Sequence, residues 1–312
     1  MSSEAYFTLL LSDSYLPGCL ALVEALRGTG TTKPVVVLAL DQLAPESLAA
    51  LESAFDSVVP VSVINNPAPR NLISLGRPDL ALSFTKLALW SMTEYDRIVY
   101  LDADVLPLTN LDNLFSVPGV LAAAPDAGWP DIFNSGVMVL TPSKADFDGL
   151  YATAESTESF DGGDQGLLNT YFADKWTRLS FMYNVTPSAG YQYMPAYVHF
   201  ASQIKAVHFT GLPKPWQLNR PSGPTSTGQY DDLLTKWWAA YDASAPPEPE
   251  SSGPDLADQI GAMSVQQWDP AVSEPPKSTS GEALGLPSVS YTNEWDKPYS
   301  PETDTKFVPP EL

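Results

Sequence analysis

The apolar run Ile98-Val99-Tyr100-Leu101 ends on two carboxylates, Asp102 and Asp104, separated only by Ala103. A run of this kind predicts a strand buried on both faces. Residues i and i+2 of a strand point to the same side, so both carboxylates are expected to reach one point at the strand's C-terminal end. In open α/β sheets that edge is where ligands bind. Two carboxylates with phosphate oxygens beside them suit Mn²⁺ or Mg²⁺. The pattern therefore predicts a divalent cation holding a nucleotide diphosphate. An isolated Asp-x-Asp is more often a solvated turn, and the rest of the chain decides between the two.

The neighbouring segments alternate in period. Ala5 to Leu11 reads as a strand, and Asp13 is placed to cap a helix from Tyr15 to Leu26 that ends at Arg27-Gly28. Pro34 to Leu40 reads as a second strand, Pro45 to Phe55 as a helix and Val58 to Val63 as a third strand. Phe84 to Met92 and Asp164 to Phe172 read as helices. Val120–Ala123, Gly136–Leu140 and Ala206–Phe209 read as further strands. Continuous apolar strands alternating with helices predict a parallel sheet covered on both faces.

Net charge of −21 argues against nucleic acid and anionic membrane surfaces as partners. It does not exclude an anionic small ligand, because a bound cation supplies positive charge locally. No apolar run approaches the ~20 residues of a membrane span. Cys19 is the one cysteine, so no internal disulfide can form. With no basic leader at Met1-Ser2-Ser3-Glu4, this points to a reducing, cytoplasmic setting. Composition changes near Asp242: residues 243–312 carry 12 prolines, 12 acidic residues and 3 lysines. Such a segment buries too little apolar surface to offset its ordering entropy. A catalytic domain over 1–242 and an acidic, Pro/Ser-rich, disordered tail over 243–312 are expected.

Three clusters join the Asp102 strand. In Phe160-Asp161-Gly162-Gly163-Asp164-Gln165-Gly166, two glycines allow a tight turn and close approach to a ligand. Asp164 then stands near a helix N-terminus, where the dipole favours a carboxylate, and Asp161 and Asp164 are placed to flank a sugar. In His208-Phe209-Thr210-Gly211-Leu212-Pro213-Lys214-Pro215-Trp216, His208 can complete a metal set with Asp102 and Asp104. Gly211 permits approach to a phosphate, and Lys214 offers it a point charge. In Phe133-Asn134-Ser135-Gly136, Asn134 and Ser135 offer donors and acceptors that suit sugar hydroxyls. Lys86 and Arg77 are scarce cations in an acidic chain and are phosphate candidates, with a plain surface role equally open to each. His199 reads as structural.

In this order these motifs, with Asp13-x-Tyr15, Thr85-Lys86, the Ala124 to Asp131 stretch and Tyr183-Asn184, resemble the glycogenins of glycosyltransferase family 8 over residues 5–242. The resemblance implies a nucleotide-sugar-binding, Rossmann-like mixed sheet of GT-A type with helices on both faces. It implies UDP-glucose as substrate, Mn²⁺ (or Mg²⁺) as cofactor, a homodimer and glucosylation of the chain's own tyrosine to prime glycogen. It assigns Asp102, Asp104 and His208 to the metal, with Ala103 beside the nucleotide. Leu9, Tyr15 and Arg77 fall at the nucleotide end, and Lys86, Gly211 and Lys214 near the diphosphate. Asn134, Ser135, Asp161, Asp164 and Gln165 would hold the glucose, and Tyr191 would be the acceptor with Tyr193 second. Residues alone would read Tyr191, in a Gly-rich loop, as packing. Leu10-Leu11-Ser12 departs from the family, which usually carries hydroxyl or amide side chains there.

A glycogen-synthase partner would dock on the tail, though Trp295 and Phe307 are at best a remnant of the family's docking segment. Two other readings stay open: a relative that glycosylates a separate small acceptor, and a non-catalytic scaffold recruiting glycogen synthase.

Overall fold

The computed structural model describes residues 3–66, 71–72, 78–221 and 229–244. Arg77, and the tail beyond Ser244, lie outside these residues. β1 (Glu4–Leu10), β2 (Val35–Leu40), β3 (Ser57–Val61), β4 (Arg97–Leu101), β6 (Leu121–Pro125), β7 (Phe133–Leu140) and β8 (Trp176–Arg178) form one seven-stranded sheet in the order β3-β2-β1-β4-β7-β6-β8. Every residue of β2 is buried, as a strand covered on both faces requires. The edge strand β3 exposes Ser57 and Pro60, and a proline is tolerated there because the outer side needs no donor.

β1, β2, β3 and β4 run parallel, while β7 runs antiparallel to both β4 and β6. The sheet is thus mixed, as the family resemblance implies, and not parallel throughout as the alternation alone predicts. The paired stretch of β7, residues 137–140, is as apolar as the parallel strands, so the direction of β7 is set by its connection and not by its composition.

Helices α1 (Leu16–Gly28) and α2 (Pro45–Ala54) pack on this sheet, and α3 (Lys144–Ser156) packs against the Pro78–Ser91 segment and against α4 (Asp164–Tyr171), which itself packs on the sheet. Asp13 does not cap α1. A 3₁₀ turn over Asp13–Tyr15 leads in, with Ser12 Oγ accepting from Ser14 N, and Pro17 stands in the first turn of α1. Asp13 instead accepts from Ala44 N at the start of α2. The helix expected at Phe84–Met92 is wound as 3₁₀ over Pro78–Ser91. Its polar side chains are anchored across the fold: Ser83 Oγ accepts from Asp164 N, and Thr85 Oγ1 from Ile64 N. Local periodicity does not carry such ties.

β5 (Val105–Pro107) leaves directly after the Asp102 turn and pairs antiparallel with β9 (Ala206–His208), placing Val105 opposite His208. The short helices α5 (Ala189–Gln192) and α6 (Met194–Phe200) precede β9, and α7 (Gln229–Ser244) closes the described chain. Leu233, Leu234 and Trp237 of α7 pack with Ala21 of α1, forming a second core with Leu106, Val207 and Phe209. The composition break near Asp242 therefore falls in the last turn of α7.

Candidate active site

The end of β4 builds the site. Asp102 to Val105 is a turn, closed by Val105 N donating to Asp102 O at 2.9 Å. The two carboxylates thus converge through a turn and not through strand alternation. Asp102 N donates to Gly136 O of β7 at 2.8 Å, and Phe209 N to Asp104 O at 3.0 Å. These main-chain bonds bring three distant segments to one point. Gly18 of α1 lies beneath: a Cβ there would sit 2.6 Å from Ala103 O, so glycine lets the helix approach the turn.

One oxygen or nitrogen from each of Asp102, Asp104 and His208 lies within 4.8 Å of the others. His208 Nε2 is 3.1 Å from Asp104 Oδ1 and 3.9 Å from Asp102 Oδ2. This O,O,N donor set suits a divalent cation such as Mn²⁺. Lysines balance the carboxylates. Lys86 Nζ is 3.0 Å from Asp102 Oδ1 and 2.6 Å from Asp164 Oδ2. Burial alone would lower the Lys86 pKa. Attraction to Asp102 and then Asp164 overrides it and holds the ammonium above the ordinary lysine range. For Asp104, burial favours protonation, but His208 and Lys214 outweigh it and keep the carboxyl well below the usual carboxylate range. Tyr100 OH donates to Asp102 Oδ1 at 2.6 Å.

A cavity of about 360 Å³ opens onto this cluster. Leu9, Tyr15, Lys86, Asp102, Ala103, Asp104, Asn134, Ser135, Asp161, Asp164, Gln165 and His208, all read from the sequence, line it. Leu11 and Ser12 add an apolar wall and one hydroxyl on the Leu9–Tyr15 side. Asp164 stands at the first position of α4, and its Oδ2 also accepts from Ser135 Oγ at 2.8 Å. Asp161 Oδ1 accepts from Gly163 N, Gly166 N and Ser159 Oγ, so it caps the turn that aims Asp164.

Other candidates sit elsewhere. Lys214 is 1% exposed and outside the cavity lining, its Nζ bound to Asp104 Oδ2 at 2.6 Å and Phe209 O at 2.8 Å. Its charge faces a carboxylate and not the open cavity. Gly211 has open space where a Cβ would stand. Tyr191 and Tyr193 lie on or beside α5, 76% and 68% exposed, so the packing reading of Tyr191 does not hold. Tyr193 lines a second cavity, of about 400 Å³, that shares Asp126 with the network around Asn134 and Gln165. His199 is exposed on α6, edge-on to Phe200.

Sequence reasoning missed Ser83 and Tyr100 in the lining, and Asp126 and Asn184 behind it. Tyr100 carried a local signal, two residues before Asp102, and Asp126 and Asn184 fell within stretches that match the family without a role attached to them. Ser83 is an ordinary polar residue until the fold brings it to the site.

The mixed sheet is one shared with solved glycosyltransferases. A solved galactosyltransferase, LgtC, in complex with donor and acceptor sugar analogues, superposes with a TM-score of 0.56 at 18% identity, covering 78% of this chain and 98% of that one. Residues 7–220 match Glycosyl transferase family 8, and the chain belongs to that family. Among its relatives, the glycogenin of Neurospora crassa is 48% identical over 240 residues, 77% of this chain and 35% of that protein. Glycogenin-1 of Mus musculus is 36% identical over 307 residues, 94% of this chain and 91% of that protein. The chain thus spans about a third of the fungal relative and nearly all of the murine one. Among the described residues no helix is long and apolar enough to cross a membrane.

Proposed function

We propose that this chain is a retaining glucosyltransferase that moves glucose from UDP-glucose to its own Tyr191, uses Tyr193 as a second acceptor, and extends a short α-1,4-glucan primer for glycogen synthesis. One observation carries the reading: Lys86 bridges Asp102 of the metal cluster and Asp164 of the sugar side within a single cavity. Kinship with glycogenins supports the choice of acceptor and sugar.

Asp102, Asp104 and His208 would hold Mn²⁺, with Mg²⁺ as the alternative; their donor atoms fit either ion. Bound there, the cation would neutralise charge on the departing diphosphate as a Lewis acid. Lys86 adds fixed positive charge at the same end of the bond, and preorganised charge of this kind is often the largest catalytic contribution. Leu9, Tyr15 and Ala103 flank the nucleoside, while Lys214 acts on the diphosphate end only through Asp104, the carboxylate it is buried against. Asn134, Ser135, Asp161 and Gln165 hold sugar hydroxyls. Asp164, oriented by Lys86 and Ser135, faces the sugar and stabilises positive charge developing at C1. The bond from C1 to the diphosphate oxygen breaks, the Tyr191 phenol oxygen bonds C1 on the same face, and the phenolic proton passes to the departing phosphate oxygen. The same reading makes the protein a cytoplasmic homodimer whose tail engages glycogen synthase.

Neither tyrosine lines the donor cavity, which favours a second reading in which a separate small acceptor enters it. The double variant Tyr191→Phe/Tyr193→Phe separates the two when a maltoside is offered with UDP-glucose. Self-acceptance predicts that wild type labels itself and the double variant labels only the maltoside. A wild type that labels the maltoside but never itself favours the separate acceptor.

A further inference from the structure

His208 faces the two carboxylates through Nε2 and has its other ring nitrogen, Nδ1, 2.9 Å from Asn184 Oδ1. The roles in that hydrogen bond are decided further along a chain of amides. Gly136 N is a main-chain donor and bonds Asn134 Oδ1 at 3.0 Å, so the carbonyl end of Asn134 points toward β7. The amino end of Asn134 points the other way, to Gln165 Oε1 at 3.0 Å and Asp126 Oδ2 at 3.2 Å. Asn134 Oδ1 also meets Asn184 Nδ2 at 2.8 Å, so Asn184 must present its NH₂ there. Its carbonyl oxygen is thereby turned to His208. An acceptor at Nδ1 calls for a proton on Nδ1, which leaves Nε2 as the ring nitrogen that can give its lone pair to a cation shared with Asp102 and Asp104.

We infer that Asn184 is a positioning residue for the metal site: it fixes the ring orientation and tautomer of His208, and its own orientation is dictated by the main-chain N–H of Gly136 through Asn134. The inference rests on the metal reading proposed above. Asn184 is 2% exposed and lies outside the lining of the donor cavity, so it acts through His208 and not on substrate. It has little freedom to turn: its backbone N donates to Phe181 O at 2.9 Å, and the next residue, Val185, bridges to Val207 of β9.

The test is a Mn²⁺ titration of the full chain with saturating UDP, followed by the EPR signal of the free ion. Asn184→Leu removes the acceptor at nearly constant volume, and its Kd for Mn²⁺ is expected to rise about 10–100-fold, as for other partners of metal-bound histidines. Asn184→Asp still accepts from Nδ1 and is expected to bind Mn²⁺ close to wild type, while melting earlier because it cannot donate to Asn134. A folded Asn184→Leu that binds Mn²⁺ like wild type overturns the inference and leaves the metal reading standing. A wild type that binds no Mn²⁺ removes both. Should Asn184→Leu fail to fold, Asn184→Asp decides: retained affinity supports the inference, and a loss of about tenfold or more overturns it.

Discussion

The imidazole of His208 lies directly over Gly136, so closely that a Cβ at that position would overlap Cε1 and sit 2.6 Å from Nδ1. Gly136 is therefore required for space; its φ is not in the left-handed region. The ring cannot retreat without losing Asn184 on one side or Asp104 on the other.

Gly136→Ala is expected to destabilise the fold by about 1–3 kcal/mol, the ordinary cost of overpacking a closed site. It should also weaken Mn²⁺ binding more than Gly211→Ala, where a Cβ meets nothing. Denaturant melts and Mn²⁺ titrations of the two variants check both parts. Equal behaviour of the two contradicts the packing argument.

Much of the site was legible because it sits at the ends of strands with strong apolar signatures. β4 announces Asp102 and Asp104, and β9 announces His208. What escaped depends on contacts between distant segments. Lys214 looks like a free cation in the sequence; its burial against Asp104, 110 residues away, appears only in the fold. A lysine so deeply buried needs such a partner. α7 did carry a signal, with Asp231 and Asp232 in the first turn and Leu233, Leu234 and Trp237 at helical spacing. That signal runs directly into the composition break near Asp242, which masks it. The reversal of β7 left no trace, because parallel and antiparallel central strands are equally apolar.

Asp164→Asn keeps the shape of the first turn of α4 while removing a negative charge from the cavity wall. Lys86 retains Asp102 as a partner, so the variant is expected to fold and to bind UDP much as wild type does. Glucosyl transfer should fall about 100- to 1000-fold, the range seen when one preorganised electrostatic group is removed. UDP calorimetry beside a transfer assay measures both. Near-normal transfer removes Asp164 from the mechanism.

Acid sensitivity has a source away from the site. Burial favours a protonated Asp112, but hydrogen bonds from Thr31, Tyr6 and Asn110 prevail and lower its pKa. Tyr6 OH and Thr31 Oγ1 both reach Asp112 Oδ1 at 2.7 Å. A lowered folded pKa adds stability above the unfolded value of about 3.9, lost as pH falls through the folded value. Asp112→Asn should therefore melt below wild type at neutral pH, with the gap closing under acid. Melting temperatures across that range test it, and a gap independent of pH contradicts it.

Self-glucosylation is tested most directly by the intact mass of the full chain before and after incubation with UDP-glucose and Mn²⁺, with Tyr191→Phe alongside. The account predicts a ladder of hexose increments on the wild type, above whatever sugar it already carries, that is lost in the variant or shifted to Tyr193. An unmodified wild type that binds UDP-glucose yet gains no hexose would contradict it.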